Sequence, residues 1–333
     1  MWRSCFVQVT MREFLAVDAG GTSTRAVLVD ADGRCRGFGR SSGGNPTSAG
    51  VAAAIDAVTA AIAATRPSSA VEVVLLAHAG SSGERFHERV GERVEPLGVR
   101  APVVGAGDVS ALFASGTPRL DGVALIAGTG SIGGVIRGGS LERTVDGTGW
   151  LLGDEGSGFW IGHRVARAVV DDLDGGPRTA LSPLVLDRFG IGQREGVHDG
   201  RSHALGDLVH ALYALRPVQL SGLAPLAFGL VDRDEVATGI VAGGAVALSR
   251  VLARTRALQP DGPLVLGGSV LVEGYLPLRA DLLAPLLDAA GAATPVPVPD
   301  GLVGAAVLAL RAGGVEVDEA VFATLTRTIT AAR

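Results

Sequence analysis

The stretch V123-ALIAGTGSIGGVIRG-G139 decides the fold. An apolar run, Val123–Ala127, leads into Gly128, Gly130 and Gly133, which together spell G-x-G-x-x-G. In a dinucleotide-binding turn the third glycine opens a helix, and an acidic residue follows about 20 positions on. Here Gly133 is followed by Gly134 and then "VIRGGS", a second strand that ends in a Gly-Gly turn, and the nearest acids, Glu142 and Asp146, fall in polar or glycine-rich loops. The spacing therefore predicts a hairpin whose tight turn offers backbone N–H groups to phosphate oxygens.

The N-terminal segment F14-LAVDAGGTSTRAVLV-D30 has the same grammar of apolar strand, glycine–threonine turn and apolar strand. Two such units predict a duplicated architecture. Around the first, the pattern predicts strands at 14–17, 26–30, 71–80 and 102–105. Asp32-Gly33 sits in a hairpin turn, and Val51, Ile55, Val58 and Ile62 make a helical face. Strands alternating with helices give the class α/β.

Composition narrows the chemistry. The 333 residues suit two domains, and 47% hydrophobic residues suffice for large cores. A net charge of −5 argues against a nucleic-acid partner. Cys5 and Cys35 form no C-x-x-C pair, so no disulfide framework, zinc site or iron–sulfur site is expected from one chain. Two free thiols fit a cytoplasmic protein. No signal peptide is legible, and the apolar runs are cut by glycine, proline and charge, so no membrane span is expected. All 29 basic residues are arginine. Without lysine there is no Walker-A loop, no kinase β3 lysine and no Schiff-base chemistry, so ATP would be held by backbone N–H groups, hydroxyls and a metal.

Several residues carry two readings. Asp18 before Gly20-Gly21 is an ordinary turn acid, or a carboxylate placed to hold Mg²⁺ through water. Asp108 in "GDVSALFASG" is a helix N-cap, or a general base for phosphoryl transfer. Asp154 and Glu155 in "GTGWLLGDEGSGFWIG" complement a helix dipole, or bind sugar hydroxyls, and His163 is read as structural. Gly267 and Gly268 make a tight strand exit, or admit a flat ligand closely.

"DAGGTSTR", "GDVSALFASG", "IAGTGSIG", "GTGWLLGDEGSGFWIG", "LVLGGSV" and "DGLVGAAVLAL", in this order, resemble N-acetylglucosamine kinases of the BadF/BadG/BcrA/BcrD group, in the sugar kinase, actin and heat-shock-chaperone superfamily. The resemblance implies two actin-like (ribonuclease H-like) domains, 12–117 plus 315–333 and 118–314, with a nucleotide and sugar cleft between them. Residues 1–11 are expected to be a leader. ATP would be gripped by Gly20, Gly21, Thr22, Gly128, Thr129 and Gly130, with Gly267, Gly268 and Ser269 by the nucleoside and Asp18 at the Mg²⁺. The sugar would be met by Asn45, Ser131, Thr148, Gly149 and Asp154, with Asp108 as base. A homodimer phosphorylating the 6-hydroxyl of an amino sugar is implied. Where many relatives have Trp near the acetyl group this chain has Thr148, which leaves glucosamine, N-acetylmuramate and glucose open beside N-acetylglucosamine. A non-catalytic sugar sensor of the same fold is the alternative from another class. The branch that activates 2-hydroxyacyl-CoA dehydratases is disfavoured because its cluster cysteines have no match.

Overall fold

The structure, a computed structural model, describes residues 11–78, 84–192, 196–198 and 200–333. Cys5 and all of the expected leader except Met11 lie outside them. Contacts divide the chain into two compact units: Met1–Asp121 with Ile136–Leu141 and Asp300–Arg333, and Gly122–Val135 with Glu142–Pro299.

The first unit is built on β1 (Glu13–Ala19), β2 (Ser23–Asp30), β3 (Cys35–Ser42), β4 (Val71–His78) and β5 (Val103–Gly107), in the order β3-β2-β1-β4-β5. Tight turns join the first three antiparallel, whereas β4 and β5 run parallel to β1 and are reached through the helices Val51–Ala64 and Glu84–Val94. Successive side chains of a strand point to opposite faces. Leu15 and Val17 accordingly pack with Ile55, Val58 and Ile62 on one face, while Phe14 and Ala16 pack with the helix Leu302–Ala312 on the other. Val51, expected on the buried helical face, is exposed at the first turn. The terminal helix Glu319–Ala332, capped by Asp318, returns Leu325 and Ile329 to the same core.

The second unit holds β6 (Gly122–Ala127), β7 (Ser131–Arg137), β8 (Ser140–Asp146), a short hairpin of β9 (Val197–His198) and β10 (Arg201–Ser202), then β11 (Leu264–Gly267) and β12 (Pro295–Pro297). Its main sheet runs β8-β7-β6-β11-β12, the same order as the first sheet, which is the duplication that the two glycine–threonine turns predicted. The chain stays extended through Gly133 along β7, so the G-x-G-x-x-G is not a dinucleotide turn.

Two expectations are corrected here. The helix Leu302–Ala312 was assigned to the second domain, ending at 314. It is instead apolar almost all round, and Leu302, Ala305, Ala306, Ala309 and Leu310 are buried in the first unit's core, so the chain returns at Asp300. The other concerns membrane spans: the helix Glu235–Leu258 is long and apolar enough to cross a membrane by length and composition. Its Ala237, Val241, Ala245, Leu248, Val251 and Leu252 sit in the core of the second unit, which accounts for its apolar character.

Candidate active site

In the first unit, three acidic side chains come together from distant sequence positions. Asp18 ends β1 in register with Arg25 of β2, whose Nη1 lies 3.6 Å from Asp18 Oδ2 and whose Nε lies 3.6 Å from Asp300 Oδ2. The Asp300 side chain is only 8% exposed and accepts Leu302 N–H at 3.0 Å and Arg333 Nη2 at 2.6 Å. Burial, then the neighbouring Asp300, push the Asp18 carboxyl up to about 7; Asp108 adds to this, and Arg25 and the Gly301 N–H oppose it.

Asp108 is the first residue of the helix Asp108–Gly116, and Gly107 occupies the N-cap. Capping therefore does not explain this acid, whose Oδ1 accepts only the adjacent Val109 N–H among the hydrogen bonds of the described residues. Burial raises its carboxyl above the ordinary range, against the pull of Val109 N–H and of His78. A carboxylate with a raised pKa is suited to accept a proton.

The turn Gly20–Thr22 and Asn45 are brought together. Gly20 N–H closes the turn on Ser23 O at 3.0 Å, and Gly20 O accepts the N–H groups of Gly44 and Asn45 at 3.1 and 3.2 Å. Gly21 and Thr22 are exposed at the tip. Asn45 Oδ1 caps the short helix Pro46–Ala49 by accepting Thr47 N–H at 2.9 Å.

In the second unit the turn Gly128–Gly130 is closed by Gly128 N–H on Gly130 O at 2.9 Å, and its carbonyls are taken by the first N–H groups of the helix Gly158–Leu173. Gly158 N donates to Gly128 O at 2.8 Å and Phe159 N to Thr129 O at 3.0 Å. That helix start is capped by Ser157, so Asp154 and Glu155 precede it and are not its first-turn acids. Gly268, at φ +87°, packs on the Ala127 carbonyl where any Cβ would collide, and this close approach sets Ser269 beside Gly128. Gly128, Thr129 and Ser269 thus line one cavity of about 370 Å³, completed by Ser221, Phe228 and Glu273, which the sequence did not disclose. Gly267 lies behind, buried at the end of β11.

The loop 147–155 is organised by Asp146, a residue dismissed as a loop acid. Its Oδ1 and Oδ2 accept the N–H groups of Asp154 and Glu155, both at 2.9 Å. Asp154 Oδ1 accepts Ser131 N–H at 3.1 Å, and Ser131 Oγ donates to Glu155 O at 2.8 Å. Burial raises the Asp154 carboxyl, helped by Asp146 and opposed by Ser131 N–H. Gly149 O accepts Leu152 and Gly153 N–H at 3.1 and 2.8 Å, and Thr148 is exposed. His163 stacks on Phe159 with centroids 5.7 Å apart, a packing role.

Known proteins resemble this chain over much of its length. A curated N-acetyl-D-glucosamine kinase of Dictyostelium discoideum is 30% identical over 256 residues, 71% of this chain and 76% of the relative. A glucosamine kinase of Vibrio cholerae is 28% identical over 187 residues, 54% of this chain and 62% of that one. The solved structure of a candidate N-acetylglucosamine kinase from Chromobacterium violaceum superposes with a TM-score of 0.65 at 26% identity, covering 90% of this chain and 99% of the other. The shared architecture is actin-like, with two mixed α/β units. The profile of the BadF/BadG/BcrA/BcrD ATPase family matches residues 15–309, and the chain belongs to that family.

Proposed function

We propose that this protein is an ATP-dependent sugar kinase that phosphorylates the 6-hydroxyl of N-acetylglucosamine, giving N-acetylglucosamine 6-phosphate and ADP. The observation that carries the reading is the double use of one turn. Gly128 and Thr129 line the cavity suited to a nucleoside, while the next residue but one, Ser131, is bound to the Asp154–Glu155 loop suited to sugar hydroxyls. Donor and acceptor elements are thereby joined within one unit. The kinase relatives support the same chemistry.

In this reading the turns Gly20–Thr22 and Gly128–Gly130 bind the ATP phosphates in place of a lysine, through the backbone N–H groups of Gly21, Thr22, Thr129 and Gly130, since those of Gly20 and Gly128 close the turns themselves. Asp108 takes the hydroxyl proton as the sugar oxygen attacks the γ-phosphorus. Asn45, Thr148, Gly149 and Asp154 orient the sugar, and Ser131 holds Asp154 for that task. The donor set suits Mg²⁺: Asp18 supplies hard carboxylate oxygens, crowded by Asp300, whose mutual repulsion a cation relieves. Bound there, Mg²⁺ would neutralise phosphate charge. Asp18 would hold it through water.

The test is ADP release over a panel of N-acetylglucosamine, glucosamine, N-acetylmuramate and glucose, with the product identified by phosphorus–proton coupling at position 6. N-acetylglucosamine should give the highest kcat/KM. Best turnover with glucosamine is the second reading, favoured by the Vibrio relative and by Thr148. ADP release that no sugar stimulates would overturn the kinase reading.

A further inference from the structure

His78 ends β4, buried, and pairs in register with Gly107, the residue before Asp108. Its Nε2 lies 3.3 Å from Nε2 of His87 on the helix Glu84–Val94. Two imidazoles in that contact need one donor and one acceptor, so at least one ring is neutral. His87 leads outward: with Glu84 and Glu88 it lines a surface cavity of about 450 Å³ that reaches Val103 of β5. Gly105 of β5 leaves room for the ring, since a Cβ there would collide with it. The phosphoryl-transfer scheme uses neither histidine.

We propose that His78 and His87 form a proton relay that carries to solvent the proton Asp108 takes from the sugar hydroxyl. The inference rests on the kinase reading and on Asp108 as its base. The balance is as follows. The sugar O–H proton passes to Asp108 while the sugar oxygen bonds to the γ-phosphorus and the bond to the β-phosphate oxygen breaks, releasing ADP. The protonated Asp108 must be emptied before the next turnover. His78 accepts that proton and His87 receives it across the Nε2 pair. His87 then delivers it to water in the cavity, for a net release of one proton per ADP.

Carboxylates face both ends of the pair. Asp108, and Asp18 beyond it, lie on the His78 side, and Glu84 and Glu88 flank His87 from its own helix. From β5 the neighbours of His87 are Val103 and Gly105, which carry no charge. Burial, then His78, hold His87 below the usual histidine range, which keeps it ready to accept at neutral pH.

The test uses the full chain with saturating sugar and Mg·ATP in weakly buffered solution, comparing wild type, His87→Gln and His87→Ala. His87→Gln should lose about tenfold in kcat at unchanged KM for sugar and ATP, and added imidazole should restore His87→Ala in a concentration-dependent way. A merely structural histidine would not respond to imidazole. Two folded variants with wild-type kcat, or a loss that imidazole does not restore, would overturn the relay while leaving the kinase reading intact. A wild-type protein that no sugar stimulates overturns both.

Discussion

Replacing Asp18 by Asn should stabilise the protein, and by an amount that grows with pH. The Asp18 carboxyl ionises near 3.8 when unperturbed and is pushed up to about 7 in the folded chain. Between those values the native state holds a proton that the unfolded chain has released. Stability is therefore fully present below about pH 4, falls as pH rises, and levels off above about pH 7. At roughly 1.4 kcal/mol per pH unit, the full cost of ionising this buried group is about 4 kcal/mol, of which about 2–3 kcal/mol accrues between pH 5 and pH 8. The Asn variant cannot ionise, keeps the shape, and leaves Arg25 its second partner Asp300. Its advantage over wild type should widen by about 5–10 °C in Tm between pH 5 and pH 8, at roughly 2–4 °C per kcal/mol for a domain of this size. Scanning calorimetry without nucleotide or metal, at both pH values, measures it. An advantage equal at the two pH values, or an Asn variant less stable than wild type at pH 8, would refute the reasoning.

Asp108→Asn should keep sugar and ATP binding, by calorimetric titration, and lose about 10²–10⁴-fold in kcat; turnover within a few-fold of wild type would remove its assignment as base. Gly128→Val adds its side chain into open space, since no atom lies within 4 Å of a Cβ there, so Tm should hardly move while ATP affinity drops at least about tenfold through blocked phosphate approach. Normal ATP binding by that folded variant would displace the phosphate turn from Gly128–Gly130. Asp146→Ala strips the acceptors from Asp154 and Glu155 N–H and should raise sugar KM by about tenfold, consistent with ~1–3 kcal/mol for losing such partners, with ATP affinity unchanged. A matching loss of ATP affinity would count against a loop devoted to sugar.

Much of the scaffold is local and so was legible. The short apolar runs "FLAV" and "VALIA", each ended by a glycine–threonine turn, mark strands, and the turns mark hairpins. The apolar run after Gly133 excludes a helix there, because β period and helix period cannot be satisfied by the same residues. The candidate phosphate turns and Asp108 follow from those elements. The absence of lysine, a property of the chain alone, removed whole mechanisms before any fold was considered.

What the tertiary structure decided is long-range. The helix Leu302–Ala312 reads as an apolar helix in either unit; only the packing of Ala305, Ala306 and Ala309 against β1 and its neighbours assigns it to the first. Asp300 and Arg333 lie some 280 and 310 residues from Asp18 and Arg25, a separation that no periodicity spans, so the burial and the Asp300 charge that lift Asp18 to about 7 exist only in the folded chain. Asp146 reads as a loop acid until the 147–155 loop folds back over its two oxygens. His78 and His87 are two unremarked histidines until the packing of a helix on β4 and β5 sets their rings 3.3 Å apart. The sequence by itself determines the elements, since side-chain period and turn chemistry act over a few residues. The perturbed carboxyls, the ligand cavity and the histidine pair belong to tertiary structure, because desolvation and charge pairing depend on distance in space, which only the packed chain defines.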